Sequence, residues 1–161
     1  TGDVEYVRIF CKDNPDLKLA IRENKVVLAR ADPEDETQLW MKDYFVTGNV
    51  TDDEGQRAFV LVNNGTGQAM VNKHKPRQDG NIEVQLAIFN GESQLSMLWT
   101  EEGKDHDGGW RRVRVLRDIT KALDGLLGHV KDGTVVGIYR SVEPVGANAL
   151  WKMETVKMES G

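Results

Sequence analysis

The hydrophobic residues of this chain recur mostly with a period of two. Short runs rich in Val, Ile, Tyr and Phe are separated by turn residues. The Asn64-Gly65 pair is the strongest turn signal, because Asn and Gly adopt positive φ at little cost. Short strands spaced about 8–12 residues apart predict an all-β barrel or sandwich. The predicted strands are 6–11, 17–21, 25–29, 58–62, 68–72, 84–89, 110–115 and 135–139.

One segment, 119–127, has the periodicity of a helix instead. Its apolar residues recur at i, i+3, i+4, i+7 and i+8, and Asp118 precedes them as a possible N-cap. Gly125 lies inside this segment and costs about 1 kcal/mol relative to alanine in a helix. Periodicity alone therefore predicts a short helix at this point of a chain that otherwise reads as strands.

A Leu-Trp pair occurs three times, at 39–40, 98–99 and 150–151, with the tryptophans 59 and 52 residues apart. Each pair closes a block with the same order: an apolar strand, a turn, a second strand, a polar loop and then Leu-Trp. Three similar blocks of about 50 residues predict a threefold architecture. Three are too few for a typical propeller. The pattern predicts a β-trefoil with about twelve strands in three pseudo-repeats, here called lobes one, two and three.

Composition and charge limit the function classes. A chain of 161 residues predicts one domain. The 26 acidic residues exceed the 21 basic ones, giving a net charge of −5, which argues against nucleic acid or an anionic membrane as the main ligand. No apolar run approaches the roughly 18 residues of a membrane span, so none is predicted. The N-terminus has no signal-peptide pattern, and a reducing intracellular compartment is expected.

No constellation of residues indicates catalysis or a cofactor. The single cysteine, Cys11, excludes an internal disulfide and a cysteine-rich zinc module, and its apolar strand predicts a buried, inert thiol. The histidines His74, His106 and His129 lie far apart, and Asp105 and Asp107 flank His106 in a loop that reads as a solvated turn. We predict no metal, no cofactor and no enzymatic activity.

Four arginines cluster between lobes two and three, at Arg111, Arg112, Arg114 and Arg117. On a strand, Arg112 and Arg114 would share one face while Val113 and Val115 would share the other. The expected role of this arginine face is a solvated outer surface. A local contact with phosphates is the alternative.

Five stretches together resemble the Euonymus-type lectin domain of plants, a relative of the ricin B chain lobes. They are 6–22, 35–43, 59–69, 98–101 and 132–134, and the resemblance covers about residues 5–154. It implies a β-trefoil domain at 5–155, with 156–161 as a tail or linker. It also implies a stress-responsive plant protein of the cytoplasm and nucleus that binds glycans, with galactose- and mannose-containing sugars both open.

The resemblance places a sugar site in lobe three. It implies that 119–127 is a strand and turn rather than a helix, with Asp124 accepting hydrogen bonds from sugar hydroxyls. Tyr139 would then be the stacking platform for the sugar ring and Asn148 the second hydrogen-bonding group. A ring covers the apolar C–H face of a pyranose, while a carboxylate and an amide hold its hydroxyls.

This sequence departs from the family pattern at several positions of that site. Ala149 stands where a glutamine is expected, Tyr139 where a tryptophan is typical, and Arg140-Ser141 where Asp-Trp often follows. Arg140 could favour an acidic or sulphated sugar. Loss of one polar partner removes roughly 0.5–1.5 kcal/mol, which could silence a weak site. The alternative function is therefore a degenerate trefoil that binds a protein partner and no sugar.

The matching positions of the other lobes are degenerate. In lobe one the acid and the aromatic ring fall on Ala20 and Ala29. In lobe two the aromatic position falls on Ala87, and Gln85 has no ring beside it. We predict one glycan site at most.

Overall fold

The computed structural model describes residues 3–73 and 82–157, and these contain thirteen strands and four three-residue 3-10 helices. The strands are β1 (Val4–Cys11), β2 (Leu17–Arg22), β3 (Lys25–Arg30), β4 (Trp40–Asp43), β5 (Val60–Asn63), β6 (Gln68–Val71), β7 (Ile82–Glu83), β8 (Gln85–Ile88), β9 (Trp99–Glu101), β10 (Val113–Val115), β11 (Asp118–Gly125), β12 (Val136–Arg140) and β13 (Trp151–Thr155). The 3-10 helices are Glu36–Gln38, Phe45–Thr47, Leu95–Met97 and Ala147–Ala149.

Six strands close into a barrel. Hydrogen-bonded pairing runs β13-β1-β4-β5, and a separate pairing joins β9 to β10. The bridge Phe59↔Trp99 connects the β5 end to β9, and the bridge Arg111↔Trp151 connects the β10 end to β13. Full closure leaves these strands no exposed barrel edge.

Three hairpins complete the fold, one from each lobe: β2–β3, β6–β8 and β11–β12. In the first hairpin, Glu23 and Asn24 form the turn with φ of 53° and 60°. Positive φ at both central residues is typical of the type I′ turn, whose twist matches the flanking strands. Barrel and hairpins together form a β-trefoil, as predicted.

The three repeated tryptophans occupy equivalent positions. Trp40, Trp99 and Trp151 are at most 1% exposed, and each directly follows a leucine that ends a 3-10 helix. Each indole N–H donates to a backbone carbonyl on the hairpin of its own lobe. The acceptors are Leu19 O at 3.0 Å, Met70 O at 3.2 Å and Leu123 O at 3.1 Å. This shared bond gives a residue-by-residue correspondence among the lobes.

The segment with helical periodicity is a strand and a turn. β11 extends through Gly125, and Leu127 follows in the turn with φ of 72°. Strand pairing with β12 buries Leu123 on the core side, where it joins the central hydrophobic cluster. None of the helical segments in 3–73 and 82–157 is long and apolar enough to cross a membrane.

Candidate functional site

A pocket of about 400 Å³ lies against the β11–β12 hairpin, and all three predicted site residues line it. Asp124 comes from the end of β11, Tyr139 from β12, and Asn148 from the 3-10 helix before Trp151. The segment 141–146, which follows β12, supplies another part of the pocket wall through all of its residues except Glu143. The volume is within the range of small-molecule sites.

Asn148 joins the acid to the strand end. Its Nδ2 donates to Asp124 Oδ1 at 3.1 Å and to Gly125 O at 2.9 Å. Both amide hydrogens of Asn148 are used in these bonds, so the group that Asn148 offers to a ligand is its Oδ1 acceptor. Asp124 offers its second carboxylate oxygen. The pair therefore presents two acceptors, which suits a ligand rich in hydroxyl donors.

Burial raises the pKa of Asp124 to about 6. The cause is desolvation, which disfavours the charged carboxylate. At neutral pH the group remains ionised. It is then a stronger acceptor than a neutral oxygen, because charge-assisted hydrogen bonds are roughly twice as strong as neutral ones.

Tyr139 lies on the same face of the hairpin as Asp124. Tyr139 is opposite Ala122, and Asp124 is opposite Gly137, two residues further along the pair. Positions two apart on a strand share a face. Ala122 and Gly137 are small, and Tyr139 as a residue stays 42% exposed. An aromatic ring is thus accessible beside the two acceptors.

The equivalent positions of lobes one and two lack these groups. Leu123 corresponds to Leu19 and Met70 through the tryptophan bonds, which places Ala20 and Val71 at the position of Asp124. The hairpin register places Ala29 and Ala87 at the position of Tyr139, as predicted. Three residues before each tryptophan, Thr37 and Ser96 replace Asn148.

The expectation of a solvated arginine face is wrong for Arg112 and Arg114. Arg112 is 5% exposed, and its backbone N–H donates to the buried carboxylate of Glu102 at 2.8 Å. Arg114 Nη2 donates to the same carboxylate at 3.2 Å. The alternation of the sequence identified the shared face correctly, and Val113 and Val115 are buried opposite. It gave no sign that an acid would cover that face.

Other groups that the sequence raised as candidate metal ligands or nucleophiles lie away from this pocket. His106 Nε2 lies 2.6 Å from Glu102 Oε1, and Asp105 accepts a hydrogen bond from the Gly109 N–H. Cys11 is fully buried, which raises the pKa of its thiol. His74 lies outside the described residues. Within 3–73 and 82–157, no group of three or more His, Cys, Asp or Glu side chains is arranged to hold a metal ion.

Replacing Asp124 by asparagine is expected to raise the free energy of unfolding at about pH 7.5 by roughly 1–2 kcal/mol. Asparagine keeps the Oδ1 that accepts from Asn148 but never ionises. Between the ordinary pKa of 3.8 and about 6, native Asp124 holds a proton that the unfolded chain has released. Stability therefore falls as pH rises through that window. Partial solvent exposure screens the charge and limits the gain.

Urea unfolding of both proteins at about pH 4 and pH 7.5 measures this difference. Near pH 4 the two free energies of unfolding should converge, because Asp124 is then largely protonated in the native state. Equal free energies of unfolding of the two proteins at pH 7.5 would contradict the prediction, because they would show that burial does not destabilise the ionised Asp124 carboxylate.

Comparison with known proteins identifies the family. No protein-family model matches the chain. The chain is 37% identical over 154 residues to the ricin B-like lectin R40G3 of Oryza sativa subsp. japonica, covering 92% of this chain and 72% of the relative. The chain belongs to the ricin B-like lectins.

A second relative, the ricin B-like lectin EULS3 of Arabidopsis thaliana, is 35% identical over 91% of this chain. The chain spans less than half of EULS3, 46% of its length, and EULS3 is of the Euonymus type, which confirms the resemblance.

Solved structures support the fold. ThreeFoil, a designed protein of threefold symmetry, superposes with a TM-score of 0.70 at 17% identity, covering 94% of this chain and 99% of the other. The Macrolepiota procera ricin B-like lectin, solved in complex with lactose, gives a TM-score of 0.69 at 12% identity, covering 93% of this chain and 94% of that lectin. At these identities the likeness shows a shared β-trefoil.

Proposed function

We propose that lobe three binds carbohydrate through Asp124, Tyr139 and Asn148. The observation that carries the proposal is their convergence: an acid, an amide and an exposed ring, from three separate elements, line one pocket. Membership in the ricin B-like lectins supports sugar binding as the activity. The sequence-based roles are kept, except that Asn148 acts as an acceptor because its N–H groups are already engaged.

The bound sugar would meet two kinds of contact. One hydroxyl would donate to Asp124 and a neighbouring one to Asn148 Oδ1, while Tyr139 would cover an apolar C–H face. A hydrogen bond to a charged group contributes about 1.5–3 kcal/mol and a neutral one about 0.5–1.5 kcal/mol. Covering roughly 50 Å² of apolar surface adds about 1–1.5 kcal/mol. The total is close to the roughly 4 kcal/mol of millimolar binding. We propose one weak, shallow site.

A glycan array containing galactose- and mannose-terminated sugars tests this function. The wild-type domain is expected to bind a subset of the array, and Tyr139→Ala is expected to weaken that binding about tenfold, since the loss of stacking is worth about one power of ten. Phe45→Ala is the matched control, because Phe45 is a ring 72% exposed and does not line the pocket. Equal binding by Tyr139→Ala and wild type would contradict the proposed platform.

The competing function is a protein-interaction module without sugar binding. Ala149 favours it, because the glutamine expected there is missing. If the folded wild-type domain binds no glycan on the array, this alternative replaces the lectin function.

We also propose that the protein acts without catalysis, as a stress-responsive plant protein of the cytoplasm and nucleus. The support is the Euonymus-type resemblance and relatives that are named as lectins of two plants. Fractionation of plant cells before and after osmotic stress, with an antibody to the domain, tests the location. Recovery of the protein only from the secretory pathway would contradict it.

A further inference from the structure

Lobe one shows what the glutamine before Leu-Trp does. Gln38 is 1% exposed, and its Nε2 donates to Arg30 O at 2.8 Å. Its Oε1 accepts from the Asp32 N–H at 2.9 Å. The Gln38 side chain is thus hydrogen-bonded to the backbone on both sides of Ala31, just after β3. Its role in this lobe is to hold the segment that leaves the hairpin.

The same segment in lobe three is 140–142. Ala31 N–H donates to Asp16 O at 3.3 Å, and Ser141 N–H donates to Thr120 O at 2.6 Å. These equivalent bonds align Ala31 with Ser141 and therefore Asp32 with Val142. The position of Gln38 belongs to Ala149, two residues before Trp151. A methyl group cannot make either bond, so the sequence leaves this segment without its lobe-one anchor.

The Arg112 side chain is hydrogen-bonded to this segment. Its Nη2 donates to Val142 O at 2.9 Å and to Glu143 Oε1 at 2.9 Å. Within 3–73 and 82–157, Arg112 is the donor for the hydrogen bonds that Val142 and Glu143 accept. Both Arg112 and Ala149 line the pocket. The guanidinium therefore holds the chain at the residue that corresponds to Asp32.

The same guanidinium of Arg112 is also held by a buried carboxylate. Its Nη1 lies 3.4 Å from Glu102 Oε2, and Glu102 is 3% exposed. Glu102 also accepts from the Arg112 backbone and from Arg114, and it contacts His106. A planar guanidinium bound to a buried carboxylate has few alternative positions, because its charge must stay paired.

We propose that Arg112 replaces the missing glutamine as the positioning residue for the sugar site. It holds segment 141–146 as a fixed wall of the pocket and so compensates for Ala149. The effect on sugar affinity rests on the proposed function. The anchoring itself does not, and it is measured separately.

Arg112→Lys tests the anchor. Lysine keeps the charge beside Glu102 but cannot reach Glu102 and Val142 O together. The backbone ¹⁵N order parameters of Val142, Glu143, Val145 and Gly146 are expected to fall from about 0.85, the value of rigid backbone, to below about 0.6. Binding of lactose, where wild type binds it, should weaken about tenfold, as loss of a charged hydrogen bond implies. Arg114→Lys is the matched control: it disturbs the same carboxylate but does not contact the wall.

A rescue separates positioning from general stability. Arg112→Lys combined with Ala149→Gln supplies the amide that Gln38 provides in lobe one, and the combination should restore the high order parameters at 142–146. If Arg112→Lys melts the whole domain, Glu143→Ala removes one of the two bonds without touching Glu102. A smaller fall in the order parameters, confined to the same residues, is then expected.

Three results would overturn the proposal: unchanged order parameters at 142–146 in Arg112→Lys, an equal fall in Arg114→Lys, or failure of Ala149→Gln to raise them again in the double variant. Wild-type protein that binds no lactose, with the order parameters behaving as expected, would leave the anchor intact and count against the sugar function for that glycan.

Discussion

Replacing Trp151 by alanine is expected to lower the free energy of unfolding by about 3–5 kcal/mol. The side chain is 1% exposed, and its indole N–H is bonded to Leu123 O. Truncation opens a cavity at the junction of barrel and hairpin, and it leaves a buried carbonyl without its donor. Trp40 and Trp99 make the same bond in their lobes, so alanine there should cost a similar amount.

Trp110 is the matched control for this prediction. It is not one of the three repeated Leu-Trp tryptophans, is only half-buried, and packs edge-to-face on Phe10 at 5.7 Å. Trp110→Ala is expected to cost less than about 2 kcal/mol, since a half-buried ring loses less transfer free energy and leaves no enclosed cavity. Urea unfolding measures all four variants. A cost for Trp110→Ala equal to that for Trp151→Ala would contradict the threefold account of the core.

Replacing Asp124 by alanine is expected to weaken glycan binding about a hundredfold, which for a millimolar site means no detectable binding. The change removes the charged acceptor and also the partner that orients Asn148. Hydrogen bonds to charged groups contribute about 1.5–3 kcal/mol, or roughly one to two powers of ten. Isothermal titration with the best-bound glycan of the array, at about pH 7.5, measures the change.

Two further variants make this result specific. Asp53→Ala removes an exposed acid that does not line the pocket, and its binding should equal that of wild type. Asp124→Asn is expected to bind poorly although its fold is more stable, which separates loss of function from loss of structure. Full affinity in Asp124→Ala would exclude Asp124 from the site.

The features predicted best are those that repeat. Three Leu-Trp pairs indicated three lobes because each tryptophan needs the same buried place under its own hairpin. The segment 119–127 was ambiguous because a strand with one face in the core and a turn after it can imitate helical spacing. Local periodicity could not decide it. The pairing of β11 with β12 did.

The arrangement around Arg112 could not be predicted from local pattern. Strand alternation assigns a residue to a face but does not say what covers that face. Here the cover comes from Glu102, ten residues earlier, and from segment 141–146, about thirty residues later. Such non-local partners give no periodic signal. The three pocket-lining residues were predicted together because the family resemblance fixes their spacing, whereas nothing in the sequence pattern points to the bonds of Arg112 with Glu102 and Val142.

Amide chemical-shift mapping with a bound glycan tests the central claim most directly, because it locates the sugar without substitution. We expect titration with lactose, or with the best-bound glycan of the array, to shift the amides of Asp124, Tyr139 and Asn148 and of segment 141–146. The equivalent amides of lobe one, at Ala20, Ala29 and Thr37, should stay unchanged. Shifts centred on lobe one or lobe two, with lobe three silent, would contradict the account.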